Sequence, residues 1–220
     1  MSDEKEPSKD LISAFEAIEE DVLWLHAKWQ VFRQLFGKSE KRVALLNNFA
    51  PDFFQIVHDS ILYDIFLTLS RLTDPPEMGR WKNLTFKRLA NMLETAGRQD
   101  LVEELGPTVE RIESACKPIR PWRNKLIAHK DFGAGVQYAP DPLPGVSRQM
   151  VEEALVVIRE FMNHLHMALK NAETEYADIP LRGDGDQIVW YLKEADAYRK
   201  HRINGKVDPE KDGLVRNDDD

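Results

Sequence analysis

The chain is poor in cysteine, with Cys116 as its single thiol among 220 residues. An intramolecular disulfide is therefore excluded, and nothing in the thiol content points to an oxidising compartment. Long hydrophobic runs are missing too. The most apolar stretches, ILYDIFLTL (61–69) and EALVVI (153–158), are short and interrupted by charge, so neither reads as a membrane span. The first ten residues, MSDEKEPSKD, are charged and hold no apolar signal region. There is no P-loop, no dinucleotide fingerprint and no G-x-S-x-G elbow. Net positive charge is also lacking. The formal charge of −8 argues against broad, nonspecific attraction to nucleic acid or anionic lipid, and leaves room for a local basic patch. A soluble, cytoplasmic protein without membrane contact is expected.

What is present is helical spacing. Leu11, Phe15, Ile18, Val22, Leu25, Trp29 and Phe32 form one apolar stripe, which predicts a helix over 8–36 that ends at Gly37. Ser39 is placed to cap a short helix ending near Ala50, and Pro51 to open the next, which runs to Leu72. That third helix is apolar around much of its circumference and is expected at the centre of a bundle. TDPPEMGRWKN (73–83) reads as a loop. Helices are predicted over 85–95 and from Asp100 towards Cys116, with a break at Pro118 and Pro121. A loop follows over 131–145, then a helix from Ser147 to Ala177, then one from Asp186 to Arg202. No sustained strand alternation and no fixed-period repeat occurs. The expected fold is all-α, a bundle of about six helices with long antiparallel members. Residues 1–180 are expected as one helical domain, 181–204 as a C-terminal helix and 205–220 as an acidic disordered tail.

The stretch WRNKLIAHKD (122–131) supports two readings. Ile119, Trp122, Leu126 and His129 lie on one helical face, so His129 can simply continue an apolar stripe. Against that, Lys117, Arg120, Arg123, Lys125 and Lys130 fall in a span without an acidic residue, in a chain that is acidic as a whole. A basic patch holding a histidine suits a phosphate-bearing ligand: arginine grips phosphate oxygens bidentately, and histidine exchanges protons near neutral pH. On an ideal helix Arg123 and His129 would stand roughly 120° apart. A shared site then requires the helix to end before His129 or two copies of the chain to meet.

Arg123-Asn124-Lys125-Leu126-Ile127-Ala128-His129 resembles the R-x(4–6)-H motif of the HEPN superfamily. LSRLTDPP (69–76) and LTFKRLANML (84–93) are similar to segments of its abortive-infection, Abi U-type branch. The resemblance implies a helical homodimer whose two motifs face one cleft, and a metal-independent endoribonuclease acting in phage defence or a toxin–antitoxin system. His129 would then move the proton and Arg123 would stabilise the transition state. Asn124 would orient the backbone or the phosphate, with Arg120, Lys125, Lys130 and Arg71 in support. RNA would be the substrate, an antitoxin or defence protein a possible partner, and neither metal nor cofactor is implied. Members without nuclease activity serve as RNA-binding or protein-interaction modules, so that alternative stays open. Some members carry a tyrosine two residues after the histidine, where this chain has Asp131.

Other features have simpler readings. Arg71 and Asp74 suit a local ion pair, or a place beside the cleft. His164 and His166 lie two apart on a helix and face different ways, which does not make a metal site. Asp184 and Asp186 suit a turn and helix cap, and Cys116 a small core residue.

Overall fold

The computed structural model describes residues 8–124 and 145–203. Their architecture is all-α, with one short β-ribbon. Helix α1 (Lys9–Phe32) buries the whole expected stripe, from Leu11 to Phe32. It then widens into a π-type turn (Arg33–Gly37), so helical structure stops at the expected glycine. Helix α2 (Glu40–Phe49) begins at Ser39, whose hydroxyl accepts the Arg42 N–H at 3.3 Å. Helix α3 (Pro51–Leu72) opens on its proline, whose missing donor costs nothing in a first turn. Its expected central position holds for its C-terminal part, where Ile65, Phe66, Leu69 and Leu72 are buried. Near its start, Phe53 and Ile56 stand about 60% and 65% exposed, while Phe54 turns inward.

The stretch after α3 contains more than a loop. Strands β1 (Glu77–Met78) and β2 (Trp81–Lys82) pair antiparallel, Glu77 with Lys82 and Met78 with Trp81. Gly79 makes the reversal possible at φ +62°. Strands of two residues are too short for alternation to register in a sequence.

Helix α4 (Phe86–Thr95) is capped by the buried Thr85, which accepts the Arg88 N–H at 3.1 Å. Helix α5 (Gln99–Cys116) carries Pro107 inside without ending there. The expected break comes after Cys116, and the short helix α6 (Arg120–Trp122) follows it. Helix α7 (Arg148–Lys170) starts at the Ser147 cap, where the hydroxyl accepts the Met150 N–H at 3.2 Å. It stops short of the expected Ala177. Asn171 adopts the left-handed conformation at φ 50°, its N–H closing onto the Met167 carbonyl at 3.0 Å. The chain beyond is fixed by other means: the Thr174 N–H donates to Asn163 at 3.0 Å, and Tyr176 is buried. Helix α8 (Gly185–Ile203) is the last.

Two compact units result, Met1–Trp29 with Ser60–Ile179, and Gln30–Asp59 with Pro180–Asp220. The first packs α5 against α7 and α4, with Phe86 edge-on to Phe161 at 5.3 Å. The second joins α2, the π-type turn and α8 around Leu35, Leu46, Phe54 and Val189. Among the described residues, no helix is long and apolar enough to cross a membrane.

Candidate functional site

The end of α3 meets the beginning of the basic motif within the first unit. After Leu72 the chain turns, the Asp74 N–H bonding to the Arg71 carbonyl at 3.2 Å. The Thr73 hydroxyl donates back to the Leu69 carbonyl at 2.9 Å. This turn presents the Asp74 carboxylate, whose side chain is 8% accessible, to two arginines. Arg120 contacts one oxygen at 3.2 Å and Arg123 the other at 2.7 Å. Arg120 also donates to the Thr73 carbonyl and, at 3.3 Å, to the Thr73 hydroxyl. Arg123 gives a further N–H to the Asn124 side-chain oxygen at 3.0 Å. Below them Ile119 is fully buried and the Trp122 ring meets Phe66 edge-on at 5.7 Å. Ile119 and Trp122 thus anchor the start of the basic segment in the core while Arg120 and Arg123 stay partly exposed.

Two guanidiniums on one carboxylate leave a net positive charge. Each guanidinium carries five N–H donors in a planar fork, more than Asp74 can engage. Both arginines are about 30% accessible (32% for Arg120, 27% for Arg123), so their remaining edges can meet a phosphate. A buried acid that clamps such forks holds them in one orientation, the preorganisation that transition-state stabilisation requires.

Asp74 is the residue the sequence reading undervalued. Its expected local pair with Arg71 does not form. Arg71 instead contacts Asp21 on α1 at 2.8 Å. A signal did exist: the five-cation span holds no acid of its own, so any carboxylate that orients its arginines comes from elsewhere in the chain. Of the candidate residues, Arg120, Arg123 and Asn124 come together, and Arg71 is engaged with α1. Lys125, His129, Lys130 and Asp131 lie outside the described residues, as do the expected loop up to 144 and the tail from 204.

The remaining titratable groups resolve into structural roles. Cys116 is buried, which pushes its thiol up to about 12 against the opposing field of Arg120. It is a core residue and not a thiolate nucleophile. His164 contacts Glu104 at 2.8 Å, whereas His166 bonds Thr174 at 2.7 Å and lies 3.2 Å from Glu19. Among the described residues no group of three or more His, Cys, Asp or Glu side chains is placed to hold a metal ion. Asp184 caps α8, accepting the Gln187 N–H at 2.9 Å. Asp186 pairs with Lys38 at 2.6 Å and with Arg42. Partial burial pushes the Asp186 carboxyl up, but the two cations outweigh it and hold it below the usual carboxylate range.

No curated protein and no solved structure matches the chain. A family model, HEPN_AbiU2, described as AbiU2, matches residues 8–187. The match runs from the start of α1 into α8 and spans the turn that carries Asp74 and the segment that carries the arginine pair. The chain belongs to the AbiU2 family of HEPN proteins, a family related to abortive infection.

Proposed function

We propose that the protein is a metal-independent endoribonuclease that works as a homodimer, in phage defence or a toxin–antitoxin system. The carrying observation is the arginine clamp. Arg123 is held by the buried Asp74 on one side and Asn124 on the other, with Arg120 beside it on the same carboxylate. It opens the R-x5-H motif of a HEPN-family chain.

In this reading the scissile phosphate lies on the outer edges of Arg120 and Arg123, with Lys125 and Lys130 adding positive potential and Arg71 on the flank. His129 takes the proton from the ribose 2′-hydroxyl, and the 2′-oxygen attacks phosphorus. The phosphorus–5′-oxygen bond breaks, and the departing oxygen takes a proton from the second motif histidine of the dimer. Arg123 offsets the charge that builds on the phosphorane-like transition state. The products are a 2′,3′-cyclic phosphate and a 5′-hydroxyl. An antitoxin-like partner would act by covering this cleft.

The test is incubation of the purified protein with total cellular RNA in EDTA, beside His129→Ala. Cleavage by the parent that is lost in the variant is the expected result. Intact RNA with both proteins overturns the nuclease reading. The clamp then favours a second one, because two arginines preset on one acid suffice to hold a phosphate without cutting it. RNA binding lost in Arg123→Ala would identify such a binding module.

A further inference from the structure

Three residues beyond Asp74 the chain forms the β1–β2 ribbon, in the same compact unit as the arginine clamp. Its surface is unusual for so short an element. Trp81 is 65% exposed and Met78, its cross-strand partner, 51%. The Arg80 guanidinium lies over the Trp81 ring, 4.8 Å from its centroid. Between residues 77 and 88 stand four cations, Arg80, Lys82, Lys87 and Arg88, and one acid, Glu77, which contacts Arg88 at 3.2 Å. The element is braced at its base: Asn83 donates from its backbone to the Pro76 carbonyl at 2.9 Å and from its side chain to the Pro75 carbonyl at 2.8 Å. An exposed indole that carries a guanidinium, on a braced ribbon with further cations close by in sequence, is a surface on which bases stack while the backbone phosphates are neutralised.

Distance fits as well. Four residues from Asp74 to Met78 and one cross-strand step to Trp81 span at most about 20 Å. Single-strand-binding surfaces of roughly 4–16 nucleotides reach that far. We propose that the 77–88 segment is a stacking platform for single-stranded RNA, holding bases that flank the phosphate on Arg120 and Arg123. This rests on the RNA reading of the clamp given above. Bases paired in a duplex cannot splay onto the indole, so the platform selects unpaired RNA.

The experiment measures binding of the full chain to a 2′-O-methylated single strand of about 20 nucleotides, which cannot form the cyclic phosphate, and to the matching duplex. Trp81→Ala is expected to weaken single-strand binding about tenfold or more, and Trp81→Phe to stay within about threefold of the parent. Duplex affinity is expected to be unchanged in both. Trp81→Ala that binds the single strand like the parent overturns the proposal. So does an equal loss on duplex and single strand, or a change in self-association with RNA affinity intact, which would make the ribbon a subunit contact. If Arg123→Ala loses binding and Trp81→Ala does not, the platform alone falls. If the parent binds no RNA, the platform and the RNA reading of the clamp fall together.

Discussion

At the scale of single residues, Asp74 has one carboxylate and two guanidiniums to satisfy. Asp74→Asn keeps the shape but replaces one accepting oxygen with a donor that faces an arginine. Urea unfolding of this variant is expected to show a loss of about 1–3 kcal/mol. In the proposed function, cleavage falls about tenfold or more as Arg123 loses its orientation, while RNA affinity does not fall because the site gains positive charge. A parallel drop in both would sink the orienting role. His26 tests a different site. It is 4% accessible on α1, with Nδ1 at 2.9 Å from the Val22 carbonyl and its ring 5.7 Å from that of Tyr176. Burial pushes its pKa from 6.5 down to about 4. The unfolded chain therefore binds the proton first as pH falls. This contribution is complete above 6.5 and is lost progressively down to about 4, by roughly 3 kcal/mol. Denaturant titrations across that window should show a shallower acid slope for His26→Leu than for the parent. Identical slopes would show that His26 does not cause it.

Elements are where single positions decide whether a helix can pack. Gly185 begins α8, and a Cβ there would sit 2.9 Å from the Gln34 Cβ, 3.0 Å from the Leu35 Cγ and 3.1 Å from the Val31 carbonyl oxygen. Two of these neighbours are a backbone-proximal carbon and a carbonyl, which cannot swing aside. The Gly185 N–H also donates to Gln34 Oε1 at 2.9 Å. Gly185→Ala is therefore expected to cost about 1–3 kcal/mol, read as a lower urea midpoint. Gly145, which precedes the Ser147 cap, has open space around the same built atom and no positive φ. Gly145→Ala is the control, and should be neutral or slightly stabilising. Equal midpoints for the two variants would show that the close approach at α8 does not matter.

For the whole molecule, charge distribution matters more than net charge. In the proposed function, an acidic chain that concentrates Arg120, Arg123, Lys125 and Lys130 in one segment would repel RNA at long range and attract it locally. Binding should therefore be steeply salt-dependent, with log K falling by about 0.7 per phosphate neutralised for each unit of log salt. Arg120→Ala is expected to reduce that slope by about 0.7, because one phosphate contact is removed. An unchanged slope with weaker binding would mean that Arg120 acts by holding the Thr73–Asp74 turn, to which it already donates.

The sequence by itself determined the helices and the motif. A stripe from Leu11 to Phe32 can bury only as a helix, and Ser39, Pro51, Thr85 and Ser147 start helices by local hydrogen bonding or fixed φ. The basic segment with its Arg123 and His129 was legible for the same reason, since charge and spacing are local. What only the tertiary structure decided depended on partners far along the chain. Asp74 could have paired three residues back with Arg71, and instead took Arg120 and Arg123, forty-six and forty-nine residues on. Helix α7 stopped at Asn171 because Asn163, His166 and Tyr176 gave the following segment a better place than another helical turn. Local patterns fix the elements because backbone hydrogen bonds and apolar periodicity act within a few residues. The choice among several possible carboxylates, or between continuing and ending a helix, is made by burial, and burial exists only once the elements have met.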